Sequence, residues 1–295
     1  MHGCRQRTME SCDGRIWGSQ VISSEVTSNE VASLLTRAPV GAALLDLLLC
    51  EREDLMPSGG RLSCPSEEDE EAVIRSLSGI GFERLCPLIA SAGYEVGPWT
   101  PGAGESRERV LRMAPARIGL ARELVRRFGV ELRAGLDLHR QEYWEVDGTR
   151  EPSFRFSDHT RVYGKGQFSW GGVRTASTRN WNVSPDHLAA WDMTEGECSR
   201  SRVRVTGKPR VYEIRFAEDW VGLIRRFPLG DCDGAMAPSW SVIALEVDVV
   251  HLTWLGFLLV HDNLALAEEN GVLPLRFWGS ELSLWLNDCI ELENG

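Results

Sequence analysis

The sequence predicts an α+β protein in which an N-terminal helical bundle is followed by a domain with a mixed or antiparallel β-sheet. Residues 27–128 carry apolar side chains at helical spacing, whereas residues 154–292 form short β-rich stretches between glycine-containing turns. The length of 295 residues and hydrophobic content of 43% suit one large domain or two ordinary ones. We therefore predict a flexible N-terminus over 1–24, a helical domain over 25–149 and an α+β domain over 150–295.

Amphipathic segments with recognisable starts fill the first half. Apolar residues recur at helical spacing after the candidate caps Ser28 and Asn29, and again after Ser66, which precedes an acidic first turn. Gly129 is a natural helix stop at the end of the last segment. We predict five or six helices without the residue pattern of a catalytic site. This half is expected to pack on the second half, to gate it or to bind a partner.

The second half alternates strands with a few helices. Five stretches are predicted to be β-rich: TRVYGKGQFSW, GGVRTAST, RVRVTGKPRVYEIRF, VIALEVDVVHLTWLGFLLV and LRFWGSELSLWLND. One helix is predicted at SPDHLAAWDM, where Ser184 is the cap and Pro185 takes the first position, and another at AEDWVGLIRRF. The segment NLALAEENG is predicted to be a polar loop. Such a mixture is typical of the α+β class.

Composition argues against several classes of protein. No apolar run reaches the roughly 18 to 20 residues that a membrane helix needs, and the N-terminus lacks the apolar core of a signal peptide. The sequence therefore predicts a cytoplasmic protein without membrane contact. None of the eight cysteines forms a CxxC pair or has a histidine at metal-ligand spacing, which argues against a zinc site.

Charge is unevenly distributed along the chain. The net charge of −11 divides into −6 over residues 1–149, +5 over 150–210 and −10 over 211–295. The acidic whole argues against nucleic acid as a partner. The basic segment over 150–210 either binds a local anion such as a diphosphate or forms a solvated arginine-rich surface.

One carboxylate opens an apolar run near the C-terminus. Side chains of a strand alternate between two faces, so Glu281 shares a face with Ser283 and Trp285 in the run ELSLWL, opposite the leucines. Burying a carboxylate costs several kcal/mol unless it is paired or hydrogen-bonded. Glu281 therefore either faces solvent at a strand start or lines a polar cleft.

Polar residues recur in a fixed order on three predicted strands of the second half. A basic or aromatic residue lies on the first strand, hydroxyl residues fill the second before the predicted helix SPDHLAAW, and an acid opens the last. The set is Arg161, Tyr163, Gly164, Trp170, Thr175, Ser177, Thr178 and Glu281. This order, over about 161–292, resembles the ADP-ribosyltransferase-like fold. In that family the first core strand carries Arg or His, a Ser/Thr motif on the second precedes a helix, and the catalytic Glu lies near the start of a late strand.

The resemblance implies an NAD-dependent ADP-ribosyltransferase that uses NAD as a substrate and acts on an unidentified acceptor, which is a protein, a peptide or a small molecule. Glu281 would accept a hydrogen bond from a ribose 2′-hydroxyl and stabilise the oxocarbenium-like centre as nicotinamide leaves. Arg161 would bind the NAD diphosphate or the nicotinamide ribose, unless Tyr163 beside Gly164 takes that position.

The remaining members of the set would complete the cofactor site. Ser177 with Thr175 would hold the catalytic geometry and the ribose, with Thr178 beside them, and Trp170 or Tyr163 would stack on the nicotinamide ring. Gly279 stands two residues before the acid, where relatives that modify arginine carry an acid or Gln. The resemblance therefore does not extend to arginine as the acceptor.

The same half is also similar to a group of bacterial proteins without an established activity. Their shared pattern is RVYGxGxFxW, DxVHLxWxGFL and RxWxSExxxWL, and this chain has RVYGKGQFSW, DVVHLTWLGFL and RFWGSELSLWL. The likeness supports a common fold unit more than a function.

Each candidate also has a purely structural interpretation. Arg161 would pair with Asp158 on the surface, the hydroxyls of the second strand would be ordinary strand residues, and Glu281 would be an exposed strand start. His251, between apolar neighbours, is predicted to be a core histidine. The alternative function is a non-catalytic module that binds a nucleotide or a protein through its tryptophan-rich sheet.

Overall fold

The structure is a computed structural model that describes residues 26–50, 67–98, 100–146, 157–158, 174–180, 198–232, 234–276 and 278–293. The predicted flexible N-terminus and the predicted helix SPDHLAAWDM lie outside them. The described residues combine helices with a mixed sheet, which confirms the general α+β class.

Six α-helices of the described residues form the first half, in agreement with the predicted number. They are α1 (Ser28–Leu35), α2 (Pro39–Cys50), α3 (Glu67–Leu77), α4 (Phe82–Val96), α5 (Ala103–Met113) and α6 (Ile118–Leu132), with a 3-10 turn at Ala114–Arg117. The N-cap of helix α1 is Thr27, one residue before the predicted candidates Ser28 and Asn29, because Thr27 and Glu30 form a reciprocal capping box.

The predicted helix stop at Gly129 is wrong. Helix α6 continues to Leu132, since Val125, Phe128 and Leu132 keep one buried stripe across the glycine. A glycine inside a helix costs only about 1 kcal/mol relative to alanine, which burial of that stripe outweighs.

The strands belong to one large sheet and one hairpin. They are β1 (Gln141–Val146), β2 (Ser157–Asp158), β3 (Arg174–Asn180), β4 (Cys198–Val205), β5 (Val211–Ile214), β6 (Pro228–Cys232), β7 (Ala235–Pro238), β8 (Val249–Leu252), β9 (Leu282–Trp285) and β10 (Ile290–Leu292). The sheet order is β10-β4-β1-β3-β9-β8-β5, with β2 beside β3, and β6 pairs with β7. Only β5 and β8 run parallel among these pairs. Strand β1 lies inside the segment predicted to be helical, so the sheet begins before residue 150.

Four helices lie between the later strands: α7 (Ala217–Arg226), α8 (Trp240–Glu246), α9 (Trp254–Val260) and α10 (Leu264–Asn270). Helix α7 confirms the prediction at AEDWVGLIRRF. The stretch VIALEVDVVHLTWLGFLLV was predicted to be β-rich and is instead helix, strand and helix. Every residue of α9 is buried, so its sequence has no helical period to read. The predicted loop NLALAEENG forms α10, which Asn263 caps by accepting a hydrogen bond from Leu266 N.

One hydrophobic core joins the helical half to the sheet. It runs from Val31 on α1 to Leu286 beyond β9 and includes nearly all of α2 and α9. Close packing is visible at Gly256, where a Cβ atom would lie 2.1 Å from the carbonyl oxygen of Ile214. The sheet therefore has a helix-covered face, on which Leu284 lies.

The opposite side of the sheet, here called the Trp285 face, has a smaller core of its own. Val211, Val249 and Trp285 are buried there, with Leu136 and Leu138 packed over them. No single helix of the described residues has the length and apolarity to cross a membrane; α1 and α2 pass that test only together and are bent by 86°.

Candidate functional site

Glu281 lies directly before β9 with a completely buried side chain. Its Oε1 is 3.6 Å from Nδ1 of His251 on β8, which is also completely buried. The same imidazole nitrogen is 3.0 Å from Oγ of Ser283. The acid is therefore not the exposed strand start of the structural interpretation, but part of a buried polar group.

Strand register extends this group across the sheet. His251 pairs with Glu213 on β5 and with Ser283 on β9, and Ser283 pairs with Thr178 on β3. Direct partners in neighbouring strands share a face. Glu213, His251, Ser283 and Thr178 thus form one buried line across four strands on the Trp285 face, which we call the polar row.

Hydrogen bonds continue the polar row to β1. Thr178 Oγ1 donates to Gln141 Oε1 at 2.6 Å and accepts from Trp285 Nε1 at 2.7 Å. Gln141 Nε2 donates to the carbonyl oxygen of Asp137 at 2.8 Å. Because these groups are buried, each bond protects its partners from an uncompensated desolvation cost. The Thr178 hydroxyl is therefore engaged in holding β1, β3 and β9 together.

The hydroxyl residues predicted to share one site, Thr175, Ser177 and Thr178, all belong to β3. Ser177 pairs with Leu284 in the β3–β9 register. Thr178 pairs with Ser283 and lies on the Trp285 face. Arg161, Tyr163, Gly164 and Trp170 lie outside the described residues.

The charge state of His251 follows from its surroundings. Burial, with the Arg215 guanidinium nearby, lowers the pKa of His251 to about 3. His251 is therefore neutral near pH 7, and its Nε2 has no hydrogen-bond partner among the described residues. It can orient Ser283 without bringing a positive charge to the acid.

Cys86 on α4 is close enough to Glu281 for the two groups to interact electrostatically. Burial, and then the carboxylates of Glu281 and Glu83, raise the pKa of Cys86 well above its usual range. A protonated, buried thiol is a poor nucleophile and a poor metal ligand. No group of three or more His, Cys, Asp or Glu side chains in the described part of the chain could hold a metal ion.

A second buried cluster fixes the segment that leads to Glu281. Asp262 is completely buried and has a φ of +51°, a left-handed conformation that Asp tolerates better than most residues. Its Oδ1 accepts from Arg276 Nε at 2.7 Å, and Oδ2 accepts from Arg107 Nη2. Arg107 belongs to α5, so this cluster ties the helical half to the stretch before β9. Beside it, His261 is buried against the Phe257 ring at 4.7 Å between centroids.

The sequence predicts Glu281 as a candidate site residue, but it does not predict the residues that surround Glu281 in the structure. Gln141 was not singled out, and His251 was predicted only to be a core residue. The alternation in VVHL places His251 opposite Val250 and Leu252, which is a detectable signal. Its partners come from other strands, which a single sequence does not reveal.

Comparison of the chain with protein-family models, with curated proteins and with solved structures finds no match. The site is therefore interpreted from its own residues and geometry.

Proposed function

We propose that this chain is an NAD-dependent ADP-ribosyltransferase in which Glu281 is the catalytic carboxylate and a protein, a peptide or a small molecule is the acceptor. The observation that carries the proposal is the position of Glu281, buried directly before β9 and next to the hydroxyl-bearing strand β3. The resemblance implied that a late strand opened by an acid would work together with that strand. Antiparallel pairing of β3 with β9 supports this arrangement.

Glu281 would act on the nicotinamide ribose. Its carboxylate would accept a hydrogen bond from the 2′-hydroxyl while the bond between the anomeric carbon and nicotinamide breaks and nicotinamide takes the electron pair. The anomeric carbon then gains positive charge, which a fixed carboxylate stabilises more strongly in a dry site than in water. The acceptor's nucleophile forms the new bond to that carbon and gives up its proton.

The register supports a positioning role for Thr178 within the proposed site. Because Thr178 lies on the Trp285 face with Ser283, it is the β3 hydroxyl on the side of the His251 group. Its hydrogen bonds to Gln141 and Trp285 make it a positioning residue that holds β3 against β9. The roles of Arg161 and Tyr163 at the diphosphate rest on the resemblance alone.

The test is nicotinamide release from NAD by the wild type and by Glu281→Gln, which keeps the shape of the side chain. We expect the variant to lose about 100-fold or more of the rate. Glu291→Gln is the matched control, since Glu291 is exposed on β10 and pairs with Arg204. Equal rates in the wild type and Glu281→Gln would remove Glu281 from the mechanism.

A non-catalytic nucleotide- or protein-binding module is the second candidate. It is favoured by one observation: the Glu281 side chain has no exposed surface through which a substrate reaches it. Thermal unfolding with NAD and with ADP distinguishes the candidates. Stabilisation by a ligand without nicotinamide release indicates a binding module, and a ligand at 100 times its dissociation constant adds about 2.7 kcal/mol.

A further inference from the structure

One end of the sheet brings together an arginine and the proposed catalytic acid. Strands β5, β8 and β9 meet in register at Leu252, which pairs with the last residue of β5 and with the first residue of β9. One step further out lie Arg215 after β5, Thr253 after β8 and Glu281 before β9. Backbones two strands apart are about 10 Å apart, so one small ligand reaches the side chains of both Arg215 and Glu281.

Arg215 lies on the same face as the polar row. Its Nη2 donates to Oε2 of Glu213, two residues earlier, and Glu213 pairs with His251 in the β5–β8 register. Residues two apart on a strand share a face, and diagonal neighbours on adjacent strands are within reach of long side chains. The guanidinium of Arg215 and the imidazole of His251 are therefore neighbours. In agreement with this, Arg215 contributes to the lowered pKa of His251.

Two buried nitrogen atoms of these neighbours have no hydrogen-bond partner among the described residues. They are Nε of Arg215 and Nε2 of His251. A buried polar atom without a partner carries an uncompensated desolvation cost. A ligand group that supplies a partner to each atom removes that cost twice.

The two atoms differ in what they offer. Nε of Arg215 always carries a hydrogen and is a donor. Nδ1 of His251 lies 3.6 Å from Oε1 of Glu281 and 3.0 Å from Oγ of Ser283. The proposed mechanism requires Glu281 as a carboxylate, and a carboxylate beside Nδ1 favours the tautomer with the proton on that nitrogen. Nε2 is then the bare nitrogen of a neutral ring and accepts a hydrogen bond.

Charge argues against a phosphate as the matching group. Glu213 forms an ion pair with Arg215, and its Oε1 accepts from the backbone N–H of Leu136 at 2.9 Å, so the pair is held in place and its charges cancel. An uncharged group with one carbonyl oxygen and one N–H, such as a primary carboxamide, satisfies both nitrogen atoms. The side chain of Arg215 is 33% exposed whereas His251 is completely buried, so a ligand enters at Arg215.

We propose that Arg215 and His251 bind the carboxamide of the nicotinamide ring. Nε of Arg215 donates to the carbonyl oxygen, and the amide nitrogen donates to Nε2 of His251. This inference rests on the proposed function, which supplies NAD as the substrate, and it assigns the leaving group to the end of the sheet where Glu281 lies. Arg215 is then a substrate-binding residue that the sequence did not predict.

Isothermal titration of the full chain with free nicotinamide tests the proposal. We expect the wild type to bind it and Arg215→Gln and Arg215→Lys each to weaken binding about tenfold, because both variants lose the Nε donor. Arg225→Gln is the matched control, since Arg225 is exposed on α7 and bonds to Asn270. The control is expected to bind as the wild type does, and unfolding midpoints establish that all variants fold.

Two analogues test His251 without a change to the buried imidazole. 3-Acetylpyridine keeps the carbonyl oxygen of nicotinamide but lacks its N–H donor, so we expect the wild type to bind it about tenfold more weakly. Nicotinic acid replaces the carboxamide by a carboxylate, which has no hydrogen to donate to Nε2, and it is also expected to bind more weakly than nicotinamide.

Three results would overturn the assignment. They are no binding of nicotinamide by the wild type, equal binding by the wild type and Arg215→Gln, and tighter binding of nicotinic acid than of nicotinamide, which would make Arg215 an anion site. Failure of the transferase proposal is distinguishable from these. A wild type that binds nicotinamide through Arg215 but does not cleave NAD would retain the carboxamide site and contradict the transferase activity alone.

Discussion

The helical half and the sheet bury polar groups in different ways. Between α2 and the turn before α6, Asp46 is buried with its two carboxylate oxygens 2.5 Å from Arg117 and 2.7 Å from Arg109. On the Trp285 face, buried contacts such as Thr178–Gln141 and His251–Ser283 join uncharged groups. The first arrangement neutralises charge and fixes helices. The second places Glu281 in a buried, dry surround beside hydrogen-bonded uncharged groups, where a carboxylate has most effect on a developing positive charge.

The largest effect is expected in the helical half. Asp46→Asn leaves the Arg117 guanidinium, with 5% of its side chain exposed, without a counter-charge. We expect a loss of about 3–5 kcal/mol in the free energy of unfolding, measured in urea. The control is Glu71→Gln, whose pair with Arg75 is exposed and contributes at most about 1 kcal/mol. Similar losses in both variants would contradict a special role for the buried pair.

Protonation of histidine should act outside helices α1 to α6, because those helices contain no histidine. Burial, then Arg276 and Arg107, lower the pKa of His261 to about 3. The unfolded chain, with a histidine pKa of about 6.5, therefore binds more protons between these two values. The contribution of His261 to the free energy of unfolding is therefore fully present above pH 6.5 and is lost as the pH falls toward 3.

His261→Phe is expected to reduce the slope of unfolding free energy against pH by about 1.4 kcal/mol per unit near pH 5. The comparison is His139→Gln, because His139 is exposed. Urea unfolding at several pH values measures both. An unchanged slope in His261→Phe would show that His261 is not held neutral by the fold.

The uncharged hydrogen bonds of the sheet should contribute less to the free energy of unfolding than the buried ion pairs of the helical half. Thr178→Val removes the acceptor of Trp285 Nε1 and the donor to Gln141 while keeping the side-chain shape. We expect a loss of about 1–3 kcal/mol, the cost of leaving buried polar groups unsatisfied. A loss as large as that of Asp46→Asn would contradict the expected difference in stability between the buried ion pairs and the uncharged hydrogen bonds.

The smallest effect concerns the start of α1. Thr27→Ala removes the side chain that caps Glu30 N, and we expect a loss of about 1 kcal/mol. Ser28→Ala, at the neighbouring position predicted to be the cap, should change stability by less than about 0.5 kcal/mol. A larger loss of stability in Ser28→Ala than in Thr27→Ala would indicate that Ser28 is the cap.

Structural features whose whole sequence pattern lies within one short segment were predicted correctly. The amphipathic pattern of AEDWVGLIRRF predicted α7, and Glu281 was recognised as an acid at the start of a strand. The prediction at α9 failed because a helix buried on all sides has no polar face. The contacts of His251 and Thr178 could not be predicted, since strand register depends on partners far away in the sequence.

The most direct test of the central claim is single-turnover release of nicotinamide by the wild type and Glu281→Gln, each with the same bound fraction of NAD. Because the amide keeps the shape but not the charge of the carboxylate, we predict equal NAD binding and a rate at least about 100-fold lower in the variant. Equal rates at equal occupancy would contradict the account.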